Sequence, residues 1–208
     1  MNKQKTQIPE LNDGVLSEDP ISQFNDWYRQ AVERGIAMPD AMALATATRD
    51  GRPSVRMVLL KQVDKGGLVF YTNYESRKGK ELSENPRAAL TFFWAELNRS
   101  VRVEGFVEKL SEGESDRYFA SRPRESQLSS HVSSQSSVVE GRAQLDGKYE
   151  QLRSDFEGRP IPRPALWGGY RLRPERIEFW QQRFARLNDR ILFTLGPDGS
   201  WSTCRLAP

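Results

Sequence analysis

Residues 54–78 read SVRMVLLKQVDKGGLVFYTNYESRK, and this stretch predicts two strands followed by the start of a helix. The runs Ser54–Val63 and Leu68–Tyr71 are rich in β-branched and aromatic residues, and the glycines of 65–67 favour a tight turn between them. A short helix is expected over Ser76–Leu82, ahead of a proline that ends it. The stretch therefore predicts an antiparallel strand pair that leads directly into a helix.

Short strands and helices continue on both sides of this stretch. Apolar runs bounded by turn signals predict strands at about Met42–Thr48, Ala88–Trp94, Val101–Leu110 (with a bend at Gly105), Gly169–Leu172, Ile177–Trp180 and Asp189–Leu195, and a last one through Trp201. Start signals predict helices from Asp19-Pro20, from a capping box at 111–114 to about Ser121, and over about Val138–Phe156. Short antiparallel strands with inserted and flanking helices predict an α+β, mainly antiparallel fold, a closed or split β-barrel.

Length and composition limit the classes of protein to consider. The 208 residues suit a single domain over residues 18–208, which follows a polar segment at residues 1–17 that we expect to be flexible. The 31 cations and 28 anions make a mixed surface, which argues against a nucleic-acid partner. No apolar run is long enough to predict a membrane span, and no metal site is predicted.

Cysteine usage favours a reducing compartment. The sequence has one cysteine, Cys204, so no internal disulfide can form and a cytoplasmic location is expected. Cys204 falls in the predicted C-terminal strand, where we expect a small buried apolar residue rather than a nucleophile. The single histidine, His131, is expected to be structural.

Two groups of cations and hydroxyls suit phosphate. Arginine offers a planar fork and lysine a point charge, and a helix start adds free N–H groups. The first group is Arg56, Thr72, Arg77 and Lys78. The second group is Lys61, Tyr118, Arg122 and Ser126. Two groups would serve two phosphorylated ligands, a cofactor and a substrate; the alternative is that these cations are ordinary solvated surface residues.

The 54–78 stretch also resembles the flavin-binding segment of the pyridoxine (pyridoxamine) 5′-phosphate oxidases. The resemblance extends from about Asp19 to Pro208 through further motifs at Tyr118–Gln127, Ser133–Ser137, Trp167–Tyr170, Ile177–Gln181, Arg186–Arg190 and Arg205–Pro208. It implies an FMN-binding split barrel that acts as a homodimer, with FMN at the subunit interface.

The resemblance also implies roles for individual residues. FMN contacts of the family fall on Arg56, Met57, Val58, Leu59, Leu60, Lys61, Tyr71, Thr72, Arg77, Lys78, Gln135, Ser136, Trp180 and Arg190, and a family glutamine aligns with Ser100. Substrate contacts fall on Lys61, Tyr118, Arg122 and Ser126, and on the catalytic pair Arg186 and Asn188. The family usually has histidine at the position of Asn188, and asparagine cannot take up a proton near neutral pH.

These residues lead to one function with two alternatives. The leading one is an FMN-dependent oxidase of pyridoxine biosynthesis that converts pyridoxamine or pyridoxine 5′-phosphate to pyridoxal 5′-phosphate, with O₂ as acceptor and H₂O₂ as by-product. Asn188 and the unusual Gln182-Arg183 pair leave open a related flavin oxidase with another substrate. The incomplete substrate set leaves open a non-catalytic protein that binds FMN or pyridoxal phosphate.

Overall fold

The computed structural model describes residues 10–11, 16–64 and 66–208. Its strands are β1 Ala41–Ala47, β2 Pro53–Leu59, β3 Gln62–Asp64, β4 Gly67–Asn73, β5 Arg87–Trp94, β6 Arg99–Lys109, β7 Trp167–Gln181, β8 Asp189–Leu195 and β9 Trp201–Arg205. Its helices are α1 Pro20–Glu33, α2 Arg77–Glu84, α3 Glu112–Ser121, α4 Arg124–Val132 and α5 Arg142–Asp155. None of these helices is both long and apolar enough to cross a lipid bilayer.

All the strands join one antiparallel sheet, which confirms the α+β class. The sheet runs β2-β1-β5-β6-β7-β4-β3, and β8 pairs with both β7 and β9. The first half of β7 pairs with β4 and its second half with β8, so the sheet curls around this long strand. The result is a split barrel filled by large apolar side chains such as Phe70, Phe92 and Phe179.

Strand boundaries differ from the predicted ones at two places. The predicted strand Ser54–Val63 breaks at residues 60–61, because their N–H groups bond to Asp40 and Val69 instead of continuing one ladder. The predicted strands Gly169–Leu172 and Ile177–Trp180 are one strand, although Pro174 lies between them. Pro174 is tolerated because it faces Gly105 at a β-bulge, where the bend was predicted.

Helix starts follow local sequence signals in two cases. The Asp19 carboxylate accepts hydrogen bonds from the N–H groups of Ile21 and Ser22, and the capping box of Ser111 and Glu114 is present.

The Ser-rich stretch forms the helix α4, for which no element was predicted. Helix α5 starts at Arg142, four residues later than expected.

Leu11 contacts β8 and β9. Leu11 is 3% exposed, its N–H donates to Asp189, and its carbonyl accepts from Arg205. Most of the segment predicted to be flexible, residues 1–17, lies outside the described residues, namely 1–9 and 12–15.

Cys204 is exposed on the edge strand β9, so the expectation that it is buried was wrong. The reason is that nothing among the described residues covers that strand.

Candidate active site

A cleft of about 430 Å³ opens beside β2 and β4 and runs under the α3–α4 segment. Its lining includes Met57, Val58, Leu59, Lys61, Tyr71, Thr72, Lys78, Tyr118, Arg122 and Gln135, all of which the sequence predicted as site residues. Asn73, Ser129, Ser130, Ser133 and Trp167 complete it. Residues from both predicted phosphate-binding groups therefore share one cavity.

The cleft contains a buried cation. Lys78 is 7% exposed, and its Nζ donates to Thr72 Oγ1 at 3.0 Å, Ser76 Oγ at 3.3 Å and Gln135 Oε1 at 2.8 Å. No carboxylate in the described part of the chain forms an ion pair with it. Burial, and to a lesser degree the charge of Arg56, lowers the pKa of Lys78 to about 8. A buried cation whose partners are all neutral fits an anionic ligand such as a phosphate.

Close packing of α2 against the sheet sets the position of Lys78. Ser76 caps this helix by accepting from the N–H of Gly79. A Cβ on Gly79 would lie 2.1 Å from the carbonyl oxygen of Tyr74, so only glycine permits this approach. The helix start thereby reaches the end of β4.

Two predicted cofactor arginines are held by a buried carboxylate. Glu81 is 4% exposed and accepts from Arg56 Nη2 at 3.3 Å and Arg77 Nε at 2.9 Å. Burial alone would raise the pKa of Glu81, but hydrogen bonds from Ser54, Thr46 and Arg77 and the charge of Arg56 lower it to about 2. Glu81 is therefore ionised at neutral pH.

Neither arginine lines the 430 Å³ cleft. Arg56 Nη1 donates to the Leu44 carbonyl at 3.1 Å and to Thr46 at 2.6 Å. Arg77 lines an adjoining cleft with Ser136, whose hydroxyl accepts from the Arg77 N–H at 3.3 Å. Leu60 is buried in the core and does not line the cleft either.

Three members of the predicted substrate group, Lys61, Tyr118 and Arg122, line the same cleft. The rings of Tyr71 and Tyr118 stack with centroids 3.8 Å apart, and burial raises the pKa of Tyr71 to about 12, so it stays neutral. The Arg122 guanidinium lies 4.6 Å from the centroid of the Trp167 ring, and burial lowers its pKa. Lys61 pairs with Asp40 at 3.0 Å. These groups add a second set of cations and hydroxyls to the same cleft.

Three predicted cofactor residues lie elsewhere. Ser100, Trp180 and Arg190 are register neighbours on β6, β7 and β8, and they line a separate cleft of about 390 Å³. Trp180 and Trp167 are at opposite ends of β7. A strand rises about 3.3 Å per residue, so these rings are up to roughly 40 Å apart along it. The two clefts have no lining residue in common.

The predicted catalytic pair lies on an exposed loop. The turn Phe184–Arg186 holds Ala185 and Arg186 at φ of 55° and 62°, a conformation uncommon outside glycine. Asn188 Oδ1 accepts from the Arg183 N–H at 3.0 Å. Arg186 and Asn188 line none of the clefts described above.

Comparison with known proteins shows the family to which this chain belongs. Residues 28–155 match the family model described as pyridoxamine 5′-phosphate oxidase, and residues 167–208 match the pyridoxine 5′-phosphate oxidase C-terminal dimerisation region. The chain belongs to the pyridoxamine 5′-phosphate oxidase family. This membership supports FMN as the cofactor and confirms the resemblance inferred from the sequence motifs.

Individual relatives of this family cover nearly the whole chain. A pyridoxine/pyridoxamine 5′-phosphate oxidase of Rubrobacter xylanophilus is 52% identical over 208 residues, covering 100% of this chain and 95% of the relative. One from a Nostoc species is 52% identical over 198 residues, covering 95% and 92%.

Solved structures share the fold. PhzG from Burkholderia lata, in complex with tetrahydrophenazine-1-carboxylic acid, superposes with a TM-score of 0.90 at 32% identity, covering 97% of this chain and 99% of that one. A related FMN-binding protein from Nostoc punctiforme has a TM-score of 0.71 at 16% identity, covering 89% and 97%, and supports the split-barrel fold.

Some residues of the site were not predicted from the sequence. Glu81 is four residues after Arg77, and this helical spacing is a signal that could have suggested their ion pair. Ser130 and Asp40 carry no comparable signal, because long-range packing brings them to Arg122 and Lys61. The structure does not bring the Ser126 hydroxyl to the cleft; the Ser126 carbonyl instead accepts from Ser130.

Proposed function

We propose that this protein is an FMN-dependent oxidase that converts pyridoxamine or pyridoxine 5′-phosphate to pyridoxal 5′-phosphate, with O₂ as acceptor and H₂O₂ as product. The observation that supports this most directly is the single cleft with two cationic groups. Within the described residues, Lys78 and Arg122 both line this cleft and neither forms an ion pair with a carboxylate. Two adjacent anion sites suit a phosphorylated cofactor next to a phosphorylated substrate.

Different residues of the cleft are assigned to FMN and to the substrate. Lys78, Thr72 and Gln135 would hold the FMN phosphate, and the exposed edge of β2 at residues 57–59 would contact the flat ring. Bound FMN supplies the redox chemistry by accepting a hydride equivalent and passing electrons to O₂. Arg122 and Lys61 would hold the substrate phosphate, so that binding fixes the orientation of the pyridine ring.

A homodimer would complete the site. Val55, Met57 and Phe93 are 69%, 65% and 65% exposed, which leaves an apolar surface next to both clefts. The match to a dimerisation region supports a second copy as the cover of this surface. We infer that the partner's second cleft and its 184–188 loop close the first cleft, since within one chain neither of them shares a lining residue with it.

Subunit mixing tests this arrangement together with the activity. Two variants, Arg122→Gln and Arg186→Gln, should each oxidise the vitamers poorly. When they are co-expressed with different tags and the mixed dimer is isolated, one of its two sites is free of both substitutions. We expect about half the wild-type rate of pyridoxal phosphate and peroxide formation. A mixed dimer as inactive as its parents would refute a site built from two chains.

A second candidate is a related flavin oxidase with a different substrate. Asn188 favours it, because the amide braces its own loop through Arg183 and cannot act as a proton carrier. The likeness to PhzG shows that a closely similar fold holds a phenazine carboxylic acid. Asn188→His should raise vitamer turnover if the vitamers are the substrates. An unchanged rate, with bound FMN that is not reduced by either vitamer, would favour the second candidate or a non-catalytic binder.

A further inference from the structure

Arg122 is held from two directions. Its guanidinium lies over the Trp167 ring, 4.6 Å from the centroid, which restricts its movement on that side. Its Nη1 donates to Ser130 Oγ at 2.7 Å, which restricts the direction in which the group points. Among the described residues no carboxylate forms an ion pair with Arg122, so its charge remains available to an anion in the cleft.

The Ser130 hydroxyl is itself oriented. It donates to the Ser126 carbonyl at 3.0 Å, one turn earlier in α4. A hydroxyl has one proton and two lone pairs, so a proton committed to Ser126 leaves a lone pair for Arg122. Ser130 thus acts as an acceptor whose direction is set by the helix.

We propose that Ser130 is a positioning residue for the substrate's anionic group, because it sets the orientation in which Arg122 presents its remaining N–H groups to the cleft. This inference rests on the proposed function in that the anion is taken to be the phosphate of the vitamer. Arginine binds phosphate through a planar fork, so its affinity depends on orientation as well as on charge.

The neighbouring serine supplies a matched control. Ser129 donates to the same Ser126 carbonyl at 3.0 Å and makes no hydrogen bond to Arg122. Ser130→Ala and Ser129→Ala therefore remove the same atom and the same bond to Ser126. They differ in the contact to Arg122.

The test uses the FMN-loaded dimer and measures binding as well as turnover. Titration calorimetry gives the Kd of pyridoxal 5′-phosphate and of inorganic phosphate, and steady-state assays give kcat and KM for pyridoxine 5′-phosphate. For Ser130→Ala we expect both Kd values and KM to rise about 3- to 10-fold, the range for one lost hydrogen bond, with kcat within twofold. Ser129→Ala, which keeps the hydrogen bond between Ser130 and Arg122, should change each of these quantities by less than Ser130→Ala does.

A double-mutant cycle separates positioning from general damage. In the Arg122→Lys background the fork is absent, so Ser130→Ala should change the phosphate Kd by less than twofold. The inference is overturned if Ser130→Ala binds phosphate as the wild type does, if Ser129→Ala is equally impaired, or if the two substitutions are additive.

The proposed function and the positioning role of Ser130 can be refuted independently of each other. A wild type that binds pyridoxal 5′-phosphate but oxidises no vitamer would overturn the function, and the Ser130 and Ser129 comparison would still decide the positioning role. A wild type that binds neither phosphate would overturn both.

Discussion

Replacing Lys78 by methionine tests the buried cation directly. Lys78 donates to three neutral groups and lacks a carboxylate partner within the described residues, so a phosphate would be its first anionic contact. A hydrogen bond to a charged group contributes about 1.5–3 kcal/mol. At about 1.4 kcal/mol per tenfold, FMN should bind roughly 10- to 150-fold more weakly to Lys78→Met.

The effect on the folded apoprotein should be different. The pKa of Lys78 is lowered from 10.5 to about 8, so its charge opposes folding at pH 7 by about 3 kcal/mol. Because the folded-state pKa is the lower one, this cost is fully present below pH 8 and is relieved as the pH rises from 8 towards 10.5. Methionine removes this cost together with three hydrogen bonds, so the two effects on apoprotein stability oppose each other, whereas both the charge and the bonds are lost to FMN.

The same pKa makes FMN binding depend on pH. A phosphate favours charged Lys78, and deprotonation above pH 8 removes that attraction. Between pH 7 and 9 the wild-type Kd for FMN should rise roughly five- to tenfold, and that of Lys78→Met should stay flat. Fluorescence quenching of FMN by the apoprotein measures both. Equal pH dependence in the two proteins, or tight binding by Lys78→Met, would refute the role given to this cation.

Three further substitutions have expected outcomes. Glu81→Gln should lower the free energy of unfolding by about 2–3 kcal/mol at pH 7, because the depressed pKa of Glu81 stabilises the folded state above pH 4.5. This difference from the wild type should shrink as the pH falls from 4.5 towards 2. Urea unfolding at a series of pH values measures it, and a difference that stays constant would contradict the prediction. Gly79→Ala should weaken FMN binding by at least tenfold, since its Cβ would meet Tyr74 at 2.1 Å, and a normal Kd would contradict the close packing of α2. Cys204→Ser should change stability by less than about 0.5 kcal/mol in thermal unfolding, and a larger loss would show that the side chain is covered in the assembled protein.

Local signals in the sequence predicted local structure well. Asp19 and the capping box at Ser111 place their helix starts because each motif satisfies N–H groups a few residues away. The continuity of β7 was missed because Pro174 indicates a strand end unless the bulge opposite it is known. Cys204 was misplaced because exposure of β9 depends on what packs over the sheet, and local sequence does not contain that information.

The sequence predicted part of the composition of the candidate cleft but not its layout. The motifs named the residues of both cationic groups, and Lys78 and Arg122 do share a cleft. The separation of Trp180 from that cleft follows from the length of β7, which was not known from the sequence. Arg56 faces Glu81 instead of the cleft, a consequence of a buried carboxylate that comes from a different helix.

Anaerobic titration of the FMN-loaded protein with pyridoxamine 5′-phosphate tests the central claim most directly. The flavin absorbance should bleach in proportion to the vitamer added, and admission of O₂ should restore the colour and release one H₂O₂ for each pyridoxal 5′-phosphate formed. A flavin that stays oxidised in the presence of both vitamer phosphates would contradict the claim.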